Sequence, residues 1–139
     1  MVHKNIKRKG TNFERYLREK FFKRGIICFR VAGSGSTRKV PALDLICVYK
    51  GKSIGLEVKV LNSSNRLYIR EEQYKELIEI SKHMEVYIVV RIGKGRIYVI
   101  SLSNYYYGIS KDEIKEIGIP LEAFIEKMKT KEQLTKLLA

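Results

Sequence analysis

Apolar residues early in the chain recur at helical spacing. Phe13, Leu17 and Phe21 fall on one face with Arg24, which predicts a helix over residues 12–24. Thr11 suits its N-cap and Gly25 its C-terminal stop. Glu14 lies about 60° from Leu17 on the helical wheel, at the edge of the buried stripe rather than on the solvent side. A short strand is predicted over residues 26–31, followed by the glycine- and serine-rich loop AGSGSTRKVPA at 32–42. A second strand covers 43–49, and Lys50-Gly51-Lys52 reads as a hairpin turn. The third strand, 53–61, alternates: Ile54, Leu56, Val58 and Val60 face one way, Gly55, Glu57 and Lys59 the other.

Residues 62–70 read as a polar connection with a short extended piece at 67–69. A second helix is predicted over 71–83, with Tyr74, Leu77 and Ile78 inward, and strands over 86–92 and 96–102 are joined by Gly93-Lys94-Gly95. The order αβββαββ predicts an α/β fold, a mixed central β-sheet flanked by helices. In the tail, Ser110 with Glu113 and Thr130 with Gln133 are candidate capping boxes, and Pro120 suits the first turn of a helix through Met128. The aromatic run Asn104-Tyr105-Tyr106-Tyr107 either packs the tail helices or offers rings to nucleic acid or a second subunit. No internal repeat is visible. The reading is a single domain over 1–139, with a flexible basic arm at 1–9 and a C-terminal helical extension at 103–139.

Composition narrows the partner. With 45% apolar residues in 139, the chain can build a core. Its 28 Lys and Arg against 15 Asp and Glu give a net charge of +13. A compact domain this basic points to a polyanion, nucleic acid first and an anionic membrane surface second. No apolar run approaches the roughly 18 residues of a spanning helix, and no signal-peptide core follows Lys4, Lys7, Arg8 and Lys9. A cytoplasmic location is therefore expected. Cys28 and Cys47 sit in apolar strand patterns and read as buried reduced thiols; with only His3 and His83 they lack zinc-ligand spacing. Abundant Lys, Glu and Ile with no Trp lean toward a hot-living source.

Against this charge, carboxylates gather. Asp44 opens an apolar strand, Glu57 and Lys59 share a face of the next, and Glu14 stands on the upstream helix. A lone Glu-x-Lys is common on surface strands. The tight hairpin, however, makes the two strands neighbours, so Asp44 and Glu57 lie close together. Two such carboxylates repel unless a proton or cation relieves them, and a hard divalent cation such as Mg²⁺ takes carboxylate oxygens. A lysine beside it can orient a water or stabilise developing negative charge. Phosphodiester hydrolysis needs this equipment. Gln73, at the start of the second helix, is within reach of the site but reads more simply as an exposed helix residue.

The arrangement resembles the PD-(D/E)xK nuclease superfamily and, more closely, the archaeal Holliday junction resolvases. The matching pieces are Lys9-Gly10, Glu14-Arg15, Gly33-Ser34-Gly35-Ser36, Asp44, Glu57-Val58-Lys59 and the segment from Leu67 to Gln73. The superfamily's proline usually precedes the aspartate directly; here Leu43 holds that place and Pro41 stands earlier. The resemblance implies a restriction-endonuclease-like core and a homodimer that cuts four-way DNA junctions with Mg²⁺. Mn²⁺ would substitute, and no small-molecule cofactor or membrane is involved. It implies Asp44, Glu57 and the Val58 carbonyl as metal ligands, Glu14 as completing the metal or water shell, Lys59 as positioning the nucleophile or stabilising the transition state, and Ser34 as a catalytic-loop serine, with Ser36 the alternative. Arg15, Arg30, Ser36, Arg38 and Lys39 are candidate DNA contacts, Arg15 equally a salt-bridge partner for Glu14. Two other readings stay open: a repair nuclease on the same core, and a basic DNA-binding or architectural protein that does not cut.

Overall fold

The computed structural model describes the backbone of residues 2–31 and 40–138 and the side chains of residues 12–31 and 40–130. Helix α1 runs Val2–Lys23, longer at its start than the apolar stripe suggests. Residues 2–9, expected as an arm, continue the helix: no proline interrupts them, and the single Gly10 costs only about 1 kcal/mol. Gly25 ends it at φ 84°, and Ile26 N–H folds back to Phe21 C=O at 3.0 Å. Only a residue without Cβ takes that left-handed turn easily.

Strands β1 (Ile27–Arg30), β2 (Leu45–Tyr49), β3 (Lys52–Leu61), β5 (Glu85–Ile92), β6 (Arg96–Ser101) and β8 (Ile119–Pro120) form one six-stranded sheet, ordered β1-β2-β3-β5-β6-β8. β4 (Arg66–Leu67) pairs separately with β7 (Ile109–Ser110). The central pair, β3 and β5, is parallel, joined through helix α2 (Glu71–Ser81); the other pairs are antiparallel. Phe13, Leu17 and Phe21 of α1 pack on one sheet face beside Phe124, Ile125 and Met128 of helix α4 (Leu121–Leu138). Leu77 of α2 and Ile114 of helix α3 (Lys111–Ile117) cover the other. The result is the mixed, helix-flanked sheet that the element order predicts.

Because both faces are covered, β3 is buried on both sides. Ile54, Leu56 and Val58 enter the α1/α4 layer, while Gly55 lies against Leu43 where a Cβ would collide. Glu57 faces that second layer with only 1% of its surface exposed, the only charged residue so buried among those described.

Three expectations change. Cys28 and Cys47 are not free thiols but a disulfide across β1 and β2. The antiparallel register sets them opposite each other, and that register depends on a loop whose path the alternation does not encode. The 103–139 segment is more than a helical extension: β8 pairs with β6, β7 pairs with β4, and α4 supplies core. Ser110 does cap α3, accepting from Glu113 N–H at 3.1 Å, but Thr130 lies inside α4 and caps nothing.

Candidate active site

The site begins where two strands part. β2 and β3 pair from Tyr49–Lys52 to Leu45–Leu56, and the ladder stops there. Asp44 stands just beyond. Its carbonyl accepts from Val31 N–H at 3.0 Å, and its carboxylate Oδ2 accepts from Val58 N–H at 2.8 Å. One aspartate thus satisfies backbone donors from the chain leaving β1 and from β3. The amide and carbonyl of a strand residue leave on the same side, so the Val58 carbonyl points into the same fork.

Glu57, Lys59 and Gln73 form the second part. Lys59 Nζ lies 3.2 Å from Glu57 Oε2 and donates to Gln73 Oε1 at 3.0 Å. Gln73 Nε2 donates to the same Glu57 oxygen, closing a triangle between strand and helix. Glu57 Oε1 is buried with no hydrogen-bond partner. Burial, then the neighbouring Asp44 carboxylate, push the Glu57 pKa up to about 8, although Lys59 opposes the rise. Without a further cation this carboxyl mostly keeps its proton at neutral pH.

Glu14 approaches from α1. Its Oε2 lies 3.1 Å from Arg30 Nε on β1, yet it is buried with no donor aligned to bond it. Burial and Asp44 raise its pKa; Arg30 and Arg18 pull it down. Glu14 therefore feels Asp44's charge, and its salt-bridge partner is Arg30 rather than Arg15, which is exposed on α1. Among the described residues, no three Asp, Glu, His or Cys side chains are gathered tightly enough to hold one ion as they stand. The donor set nevertheless fits a hard cation: Glu57 Oε1 is buried with neither a hydrogen bond nor an ion pair, Glu14 Oε2 has only its ion pair with Arg30, and Asp44 repels both glutamates. Ser34, Ser36, Arg38 and Lys39 lie outside the described residues.

Comparison with known proteins settles the kinship. The family model for archaeal Holliday junction resolvases matches residues 5–133. The chain belongs to this family. Crossover junction endodeoxyribonuclease Hjc of Sulfolobus acidocaldarius is 33% identical over 90 residues, covering 63% of each protein. Its namesake from Sulfurisphaera tokodaii is 31% identical, covering 63% of this chain and 62% of the relative. The Methanocaldococcus jannaschii Hjc is 30% identical over 118 residues, covering 81% of this chain and 83% of its own. The match thus spans a little over three-fifths of the first two relatives' length. The structure of Archaeoglobus fulgidus Hjc superposes with a TM-score of 0.73 at 20% identity, over 84% of this chain and 99% of that one, which establishes the shared fold.

For a resolvase-family site, one residue counts for more than its sequence context suggests, and a second stands out in the strand beside it. Gln73 is wired into the site and is not an ordinary exposed helix residue. The signal was its position in the first turn of α2, the helix that links the Glu57 strand to β5. Arg91, on β5, has a buried Nε without a partner, and its guanidinium sits 4.9 Å from the Phe13 ring centre. Nothing in the alternation of β5 marks it.

Proposed function

We propose that this protein is a structure-specific endodeoxyribonuclease that resolves four-way DNA junctions by hydrolysing paired phosphodiester bonds. The observation that carries the reading is Glu57: a buried carboxyl with an orphaned oxygen, beside Asp44 and Lys59, in a chain of net charge +13. Family membership supplies the substrate class. A non-cutting architectural protein has no use for such a group, whose burial costs stability.

Asp44, Glu57 and the Val58 carbonyl would hold a divalent cation, Mg²⁺ with Mn²⁺ as substitute, and Glu14 would complete its surroundings. Bound there, the cation would stabilise negative charge on the scissile phosphate and make a water more acidic. The chain's own residues do the rest. Lys59 Nζ, held by Gln73 and Glu57, donates to a phosphate oxygen as charge builds on it. Gln73 fixes that ammonium so that little reorganisation is left for the reaction. A cation held there would favour the ionised form of Glu57, which would then serve as an anionic ligand. Arg30 holds Glu14 while presenting an exposed cation to the DNA backbone. Ser34, or Ser36, is proposed as the loop serine. Two copies of the chain, each cutting one strand, match the two-fold symmetry of a junction. Among the described residues no helix is long and apolar enough to cross a membrane, and action on DNA fits a cytoplasmic location.

The test offers equal amounts of an immobile four-way junction and a linear duplex of the same arm sequence. Symmetric nicks in the junction alone, lost in EDTA and lost in Asp44→Asn, are expected. Cutting of both substrates keeps the nuclease and rejects junction selectivity; binding without any cutting supports the architectural reading.

A further inference from the structure

The tyrosine run of residues 105–107 divides by role. Tyr105 is buried: its hydroxyl accepts from Ile69 N–H at 2.8 Å, and its ring leans on Tyr74 at 5.6 Å between centres. Tyr107 is 70% exposed and Tyr68 54%, and the two meet edge to face at 4.8 Å. Tyr106 is half exposed, with its hydroxyl committed to Glu113. These rings stand at and beside a groove of about 780 Å³ whose other wall is Ile69 to Glu72 and Tyr74. Gln73, between Glu72 and Tyr74 of that wall, turns instead to Glu57 and Lys59, so groove and site share the first turn of α2.

What suits this groove follows from its charges. Glu71 and Glu72 border it, and carboxylates repel a phosphate; the same oxygens accept hydrogen bonds from the amino groups on base edges. The tyrosine faces stack on any flat heterocycle regardless of sequence. Exposed Arg70 stands at the border to meet the phosphate beside a stacked base. The chain's excess of 28 basic over 15 acidic residues brings the DNA to the surface. We propose that this groove receives one unpaired nucleobase from the DNA strand that runs to Glu57 and Lys59. The inference rests on the nuclease reading and adds to it a second contact, selective for distorted rather than fully paired DNA.

A single 2-aminopurine placed unpaired next to the crossover of a four-way junction reports the contact, with Ca²⁺ in place of Mg²⁺ to hold cleavage back. Stacking on tyrosine quenches its fluorescence. Expected is saturable quenching by the wild-type protein. Tyr107→Ala and Tyr68→Ala should abolish it and weaken binding about 5- to 150-fold, the range for one lost base–ring stack. Tyr107→Phe should keep it. The slope of log K against log salt should not change in the alanine variants, because no phosphate contact is removed, whereas Arg70→Ala should lower it by about 1. Unaltered quenching and affinity in both alanine variants would overturn the proposal. So would a shift in sedimentation of Tyr107→Ala without DNA, since the groove would then be filled by a second copy. Wild-type cleavage of an unmodified junction with Mg²⁺ is measured alongside. Cleavage without quenching removes the base pocket alone; quenching without cleavage keeps the pocket and removes the nuclease.

Discussion

Replacing Glu57 by glutamine should stabilise the protein in the absence of metal while destroying its activity. The magnitude follows from burial. Glu57 titrates near 8 in the folded state instead of 4.5, because its charge is desolvated and faces Asp44. A carboxyl with a raised folded pKa binds its proton more tightly when folded. Its contribution is fully present below the unfolded value, is lost as pH rises through about 8, and is flat above. Each pH unit in that window is worth about 1.4 kcal/mol, so the wild type should lose at most about 5 kcal/mol between pH 4.5 and 8. Glutamine keeps the shape and carries no charge, although Lys59 loses an anionic partner; a net gain of about 2–4 kcal/mol at pH 9 remains. At pH 4.5 the two proteins should differ by less than about 1 kcal/mol, both being neutral there. Urea unfolding in EDTA, followed by circular dichroism at both pH values, measures this. The reasoning is refuted if the two proteins share the same pH dependence, or if glutamine destabilises at pH 9.

Other outcomes follow from the same geometry. Asp44→Asn keeps an acceptor for Val58 N–H, so it should abolish cleavage while leaving junction affinity within about threefold in gel-shift titrations; joint loss of both would make the residue structural. Gln73→Ala should lower kcat about 10- to 100-fold with KM little changed, because it frees Lys59 without removing it; a pure KM effect would contradict a positioning role. Cys28→Ser with Cys47→Ala should cost about 3 kcal/mol in denaturant unfolding without reductant, the loop-closure value for a separation of 19 residues; equal stability of the variant and the oxidised wild type is the refuting result. Junction binding should weaken steeply with salt, and a flat response would remove phosphate contacts from the argument.

Much of this was legible in the chain because β3 carries two messages at once. The alternation of Ile54, Leu56 and Val58 defines a strand, and the acid and lysine interrupting it on the other face define chemistry. Asp44, at the head of an apolar run and one tight hairpin away, could then be placed by register alone. The illegible parts all depend on contacts distant in sequence. Gln73 finds Glu57 only after α2 docks, 16 residues on. Arg30 reaches Glu14 because α1 lies across the sheet edge. The disulfide required the β1–β2 register, and the place of β8 in the sheet required a two-residue strand too short for any periodicity.

The fork at Asp44 makes the site its own indicator. Val58 N–H is held by a side-chain oxygen where its neighbours along the sheet are held by backbone. A ligand that pulls Asp44 Oδ2 off the amide releases that hydrogen, whereas one that takes Oδ1 or the second lone pair of Oδ2 leaves it held. The amide of Val58 then trades deuterium with solvent faster as the carboxylate is drawn away, while Glu57 and Lys59, latched to β5 on either side, keep theirs. A single amide thus reports displacement of the Asp44 carboxylate as an isotope clock, readable without cleaving any DNA.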